Sequence, residues 1–182
     1  IFRRIISKLF MPDVDLFATR LNSQLARFVS WKPDPEALFY DAFSRLWDAF
    51  TPYIFPPFSL LGRVLAKIQN SKVQQAIVIA PCWETRPWCP TLLSMLYQSP
   101  PRLLRNADLL TRLSELHPLK NSLVLAAWPL SGNSFATQEF LNPQQTLSLS
   151  PGEREPTSNM LQRGNSMVAG VIGSKLILFK HL

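Results

Sequence analysis

The chain has 182 residues, 47% hydrophobic and 17% charged, a balance that excludes wholesale disorder and suits one domain with a core plus a tail. Nineteen Lys and Arg against twelve Asp and Glu give a net charge of +7, but the cations are scattered and form no basic block of the kind that makes a dedicated nucleic-acid arm. No apolar run is long enough to span a bilayer, and neither a signal peptide nor an initiating Met is seen, so the expectation is an intracellular fragment (cytoplasm or nucleus) of a longer chain, with no membrane partner.

In chain order, Phe2, Ile5, Ile6, Leu9 and Phe10 recur at helical spacing with Arg3, Arg4 and Lys8 opposite, and Pro12 closes the segment. Val14–Ala18 reads as a short strand carrying Asp15. Leu21–Phe28 suits a helical turn or two, and Phe28–Trp31 a second strand stopped by Lys32-Pro33-Asp34-Pro35. Residues 36–50 stay ambiguous between a helix lined by Leu38, Phe39, Phe43, Leu46, Trp47 and Phe50 and a loop through Asp41.

The stretch Tyr53–Trp83 organises the rest. A short strand, Tyr53–Phe55, halts at Pro56-Pro57, because proline donates no ladder hydrogen bond. Leu60, Leu61, Val64, Leu65 and Ile68 then share one helical face, with Arg63, Lys67 and Gln69 opposite. Ala76–Ala80 is a continuous apolar run that suits a buried parallel strand, which makes a βαβ unit. Ligands in open α/β sheets sit where strands end, here at the Pro-Pro-Phe loop and the loop Pro81–Trp88.

Thr91–Gln98 reads as a helix, Leu103–Leu116 as a region with a short helix from Asp108, and Ser122–Trp128 as an apolar strand closed by Pro129. Residues 131–166 are polar and read as a disordered linker. Residues 167–182 turn apolar again, either a strand returning to the sheet or, the preferred reading, the start of a following domain. Cys82 and Cys89 match no zinc spacing; a disulfide across their loop is geometrically allowed, and two reduced thiols are favoured.

Several uncommon stretches occur in fixed order: D-L-F-A-T-R-L-N at Asp15–Asn22, V-S-W-K-P-D-P-E-A at Val29–Ala37, D-A-F at Asp41–Phe43 and F-P-P-F-S-L-L-G-R-V-L-A-K-I at Phe55–Ile68. I-V-I-A-P-C-W, R-P-W at Arg86–Trp88, H-P-L at His117–Leu119 and L-A-A-W-P-L-S-G at Leu125–Gly132 follow. This succession resembles the polyprotein of DIRS-like retrotransposons, which use a tyrosine recombinase. The segment is similar to the Dam-like adenine methyltransferase region of those elements, between RNase H and recombinase. The resemblance implies a three-layer, Rossmann-like α/β domain over residues 1–130, incomplete at its edges and followed by a polar C-terminal tail. It also implies S-adenosylmethionine as cofactor, no metal, and DNA or the flanking polyprotein domains as partners.

Carried over residue by residue, Asp15, Ala18 and Asn22 match the stretch near the cofactor, and Pro56, Pro57 and Phe58 match the loop that holds the target adenine. That chemistry needs a polar oxygen to accept the hydrogens of a poorly nucleophilic exocyclic amine, and an aromatic ring to stack on a base swung out of the duplex. Here Phe55 stands at the acceptor position, and no Gly-rich turn follows Asp15. Asp41 is a base-side acceptor candidate, with turn capping the favoured alternative; Trp83 and Trp88 would stack bases or roof the sheet. The expectation is therefore a methyltransferase-derived module with degenerate catalysis. An active adenine methyltransferase and a ligand-free structural spacer are the alternatives.

Overall fold

A computed structural model describes residues 1–102, 124–144 and 168–181. The protein is a mixed α/β structure with a mostly parallel sheet flanked by helices. The helix expected at the start is α1 (Phe2–Lys8); Ile5 is its buried residue, and Arg3, Arg4 and Lys8 face solvent. Three short strands follow, β1 (Val14–Asp15), β2 (Val29–Ser30) and β3 (Phe39–Tyr40).

The βαβ unit forms as its periodicity predicts: β4 (Pro52–Ile54), a 3-10 turn at Phe58–Leu60, α2 (Leu61–Asn70) and β5 (Ala76–Pro81). Strands β4 and β5 are parallel, with Tyr53 opposite Ile77 and Ile54 opposite Val78. Leu61, Val64, Leu65 and Ile68 are the buried stripe of α2. Their burial contributes roughly 6–12 kcal/mol of gross transfer free energy, before the entropy of ordering is set against it. Alternation along β5 sends Ala76, Val78 and Ala80 to the face covered by α2, and Ile77 and Ile79 to the face covered by α1.

After α3 (Cys89–Ser94) and β6 (Pro101–Arg102) comes β7 (Leu125–Leu130), which lies antiparallel between β5 and β6. The expected stop at Pro129 does not occur. Pairing with β6 is confined to Ala126, and beside Pro129 lies only an isolated antiparallel bridge, Leu96 to Leu130, in which the Pro129 carbonyl accepts from the Tyr97 N–H at 3.4 Å, so the absent N–H interrupts no extended ladder. Trp128 is buried, its indole Nε1–H donating to the Ala80 carbonyl at 3.1 Å. The chain then squeezes past the end of α2 at Gly132, where a Cβ would strike the backbone carbonyl of Ile68.

Part of the stretch expected as a disordered linker is folded: α4 (Ser134–Leu141) is capped by Asn133, whose side chain accepts from the Phe135 N–H at 3.0 Å. Residues 168–181 pack against the main sheet and core. They form a hairpin, β8 (Val168–Ile172) and β9 (Lys175–Leu178), turned by Gly173 and Ser174 at positive φ, as two-residue hairpin loops demand. Ile177 is buried in the main core, Phe179 packs on Trp128 at 5.8 Å, and β10 (Lys180–His181) pairs with β6. The expected helix from Asp108, His117 and residues 145–166 lie outside the described residues.

The β2–β3 pair extends the main sheet. A parallel bridge joins Asp15 to Phe28; the Asp15 N–H donates to the Arg27 carbonyl at 2.9 Å, and the Ala18 N–H to the Val29 carbonyl at 3.2 Å. The continuous order is therefore β3-β2-β1-β4-β5-β7-β6-β10, with β7 alone reversed. No helix among the described residues is long and apolar enough to cross a membrane.

Candidate functional site

Strand order reverses between β1, which leads to β2 on one side, and β4, which leads to β5 on the other. The crevice outside the carboxyl ends of such a pair is where open α/β sheets bind ligands. Asp15 ends β1 there, 3% exposed, directly across the ladder from Tyr53. Burial raises the Asp15 carboxyl from its ordinary 3.8 to about 6, with the backbone N–H groups of Gln24 and Phe17 pulling partly the other way. The Gln24 N–H donates to Asp15 Oδ2 at 3.1 Å, which ties the loop after β1 back onto the strand. This tie replaces the helical turns expected over Leu21–Phe28. Burial, and then the Asp15 charge, push the pKa of the Tyr53 phenol up.

The other two residues of the first motif do not converge on the crevice. Ala18 is buried, its N–H spent on β2. Asn22 is exposed, and its Oδ1 accepts from the Thr19 N–H at 2.6 Å and the Thr19 hydroxyl at 3.1 Å, a local turn bond.

At the end of β4, Phe55-Pro56-Pro57-Phe58 turns the chain from strand into α2. Phe55 and Phe58 lie with ring centroids 6.5 Å apart, and Trp83, just past β5, meets Phe58 edge-on at 5.5 Å. These three half-buried rings join the cluster on the α1 face. The acceptor position thus holds a packed aromatic ring with no oxygen to offer. Beside it, a cavity of about 490 Å³ opens over Cys82–Pro87, with the Arg86 guanidinium 5.0 Å above the Trp83 ring. Trp88 packs into the cluster on the opposite face, so Trp83 and Trp88 do not form one clamp. Cys82 and Cys89 form no disulfide, and burial raises the Cys89 thiol to about 11.

Asp41 ends β3 with φ 56° and caps the 3-10 turn at Ala42–Ser44; its Oδ1 accepts from the Phe43 N–H at 3.0 Å. Residues 36–50 thus resolve into a strand and a capped turn rather than one helix. Two strands separate β3 from β4, which at about 4.8 Å per spacing puts Asp41 about 14 Å from the Phe55 gap. It does not stand in for the missing acceptor.

Trp83 thus meets the Phe55–Phe58 turn, and Asp15 lies across the β1–β4 ladder from Tyr53, two residues before Phe55. The sequence reading passed over Tyr53 and Arg86 as site residues. Tyr53 was detectable only through register, since nothing local says that it faces Asp15. No group of three or more His, Cys, Asp or Glu among the described residues could hold a metal ion. No protein-family model, curated protein or solved structure matches the chain.

Proposed function

We propose that this chain is a module of a retrotransposon polyprotein, derived from a DNA adenine methyltransferase and catalytically degenerate, which acts in DNA contact or as a scaffold between RNase H and recombinase. One observation carries it: Asp15 and the Pro-Pro-Phe turn, the two stretches that resemble the methyltransferase motifs, flank one crevice at the strand-order reversal. The order β3-β2-β1-β4-β5, continued to β6 with one antiparallel strand inserted, supports the Rossmann-like plan that the resemblance implies.

The residues present fit the cofactor only in part. The Asp15 carboxylate would hold the amine or ribose of S-adenosylmethionine, whose sulfonium carries the transferable methyl. Asn22 is spent on Thr19, and no glycine cradle follows Asp15. With Phe55 in the acceptor position and Asp41 engaged in its cap, none of the motif residues among the described ones orients an adenine nitrogen. Loss of one such preorganised group costs on the order of 10²–10³ in rate.

Calorimetric titration of the full chain with S-adenosylmethionine tests the cofactor half. Micromolar binding that is lost in Asp15→Ala supports a surviving pocket; no heat in a folded chain removes the cofactor and leaves the scaffold reading. A labelled-methyl assay on adenine-containing DNA is expected to stay at background. Incorporation above background would restore the active enzyme.

A further inference from the structure

Among the described residues, four of the eight exposed large apolar side chains, namely Leu21, Trp31, Tyr40 and Leu46, end or follow β1, β2 and β3, and a fifth, Leu38, stands just before β3. Trp31 is the least expected of them. Tryptophan is highly buried on average, yet this one is 69% exposed. It is also held there. The hydroxyl of buried Ser30 donates to the Lys32 carbonyl at 2.5 Å and accepts from the Lys32 N–H at 3.1 Å, which fixes the turn that carries the indole outward.

Cations sit on aromatic rings along this same end. Lys32 Nζ is 4.2 Å from the Trp31 ring, the Arg45 guanidinium 5.0 Å from Phe39, and the Arg63 guanidinium 4.1 Å from Phe43. The ion pairs among the described residues engage Arg20 and Arg27 instead. Arg20 also occupies Asp34 and Glu36, the carboxylates nearest Lys32 in sequence. What remains is an exposed aromatic surface whose cations are held by ring faces rather than by carboxylates.

We propose that the β2–β3 end of the sheet is a docking surface for single-stranded nucleic acid, with bases stacking on Trp31 and Tyr40 and phosphates meeting Lys32 and Arg45. Exposed rings on a fixed turn can stack only on bases that are unpaired, and the neighbouring cations suit a phosphate backbone. The net charge of +7 favours a polyanion over an average protein surface. The surface begins at β2, the strand next to the one that carries Asp15. It deepens the DNA-contact part of the proposed function, yet it stands or falls without the cofactor.

The test is fluorescence anisotropy of a labelled oligothymidylate of about 15 nucleotides with the full chain, in cofactor-free buffer at about 50 and about 200 mM salt. Trp31→Ala is expected to weaken binding about tenfold or more and Trp31→Phe much less, with both variants melting like the native chain. Lys32→Ala combined with Arg45→Ala should lower the log–log salt slope by about 1.4. Equal affinity in native and Trp31→Ala chains would overturn the proposal. So would a duplex of the same length competing equally well, or no binding at the lower salt. Self-association that disappears in Trp31→Ala, seen by sedimentation without oligonucleotide binding, would reassign the surface to a protein contact. Because no cofactor is present, each of these outcomes leaves the S-adenosylmethionine titration to be judged separately.

Discussion

Among the described residues, the two faces of the sheet are built unequally. One is covered by α2, α3, α4 and the β8–β9 hairpin, and its core runs from Val14 to Ile177. The other, among the described residues, gathers six buried side chains under the seven-residue α1. The Phe55–Phe58–Trp83 aromatics belong to the thinner side, with Phe58 touching both clusters. Stability and site are thus partly segregated: the thick face holds the strands in place, and the thin face is where their carboxyl ends present rings and an opening.

That contrast can be broken most directly by truncation. Ile68→Ala, in α2 on the thick face, is expected to cost about 4 kcal/mol, and Ile5→Ala, under the short α1, about 2 kcal/mol. Both residues are fully buried, so equal losses in chemical denaturation would mean that the faces share the load. The next effect has the opposite sign. The Asp15 carboxyl has a higher pKa folded, about 6, than its ordinary 3.8, so the native state binds the extra proton between those values. Stability tied to Asp15 is therefore present below the lower value and is lost as pH rises through about 6. Asp15→Asn should stabilise the chain by roughly 3 kcal/mol at pH 7.5 and remove that slope, as read from melts across pH 4–8. A native chain with a flat profile would refute the assignment.

Gly132→Ala should cost about 2 kcal/mol, because the colliding atoms are backbone and cannot rotate away. A neutral result would mean that the end of α2 yields readily. Asn22→Ala should cost no more than about 1 kcal/mol and leave any S-adenosylmethionine affinity unchanged, since its oxygen serves Thr19. A large affinity loss would return Asn22 to the site.

What could be seen in the sequence was local. The α2 stripe, the β5 run and the halt at Pro56-Pro57 follow from helical periodicity, continuous apolarity and the missing N–H of proline. The features that stayed hidden depend on distant partners. The turn proposed for Leu21–Phe28 gives way to a loop because a carboxylate nine residues upstream takes the Gln24 N–H. Pro129 is tolerated inside β7 because its neighbour away from β5 is the isolated Leu96–Leu130 bridge rather than an extended ladder. The hairpin at 168–181 comes home because Ile177 joins a core that begins at Val14 and Phe179 packs on Trp128. At the candidate site, Asp15 and the Pro-Pro-Phe turn were visible as motifs. Their adjacency depended on strand order, which sequence periodicity does not encode.

The reversed strand β7 also sets a clock on synthesis. β5 is complete at Pro81, but the neighbour that closes its open edge ends only at Leu130, while β6, made in between, has no place in the sheet until β7 arrives. At roughly 5–20 residues per second a ribosome needs about 2–10 s to cover that interval. For those seconds the nascent chain carries an apolar strand with an unpaired edge, the feature most prone to pairing with another copy. Ribosomes crowded on one message would bring such edges together, so the chain's yield should depend on how far apart its makers travel.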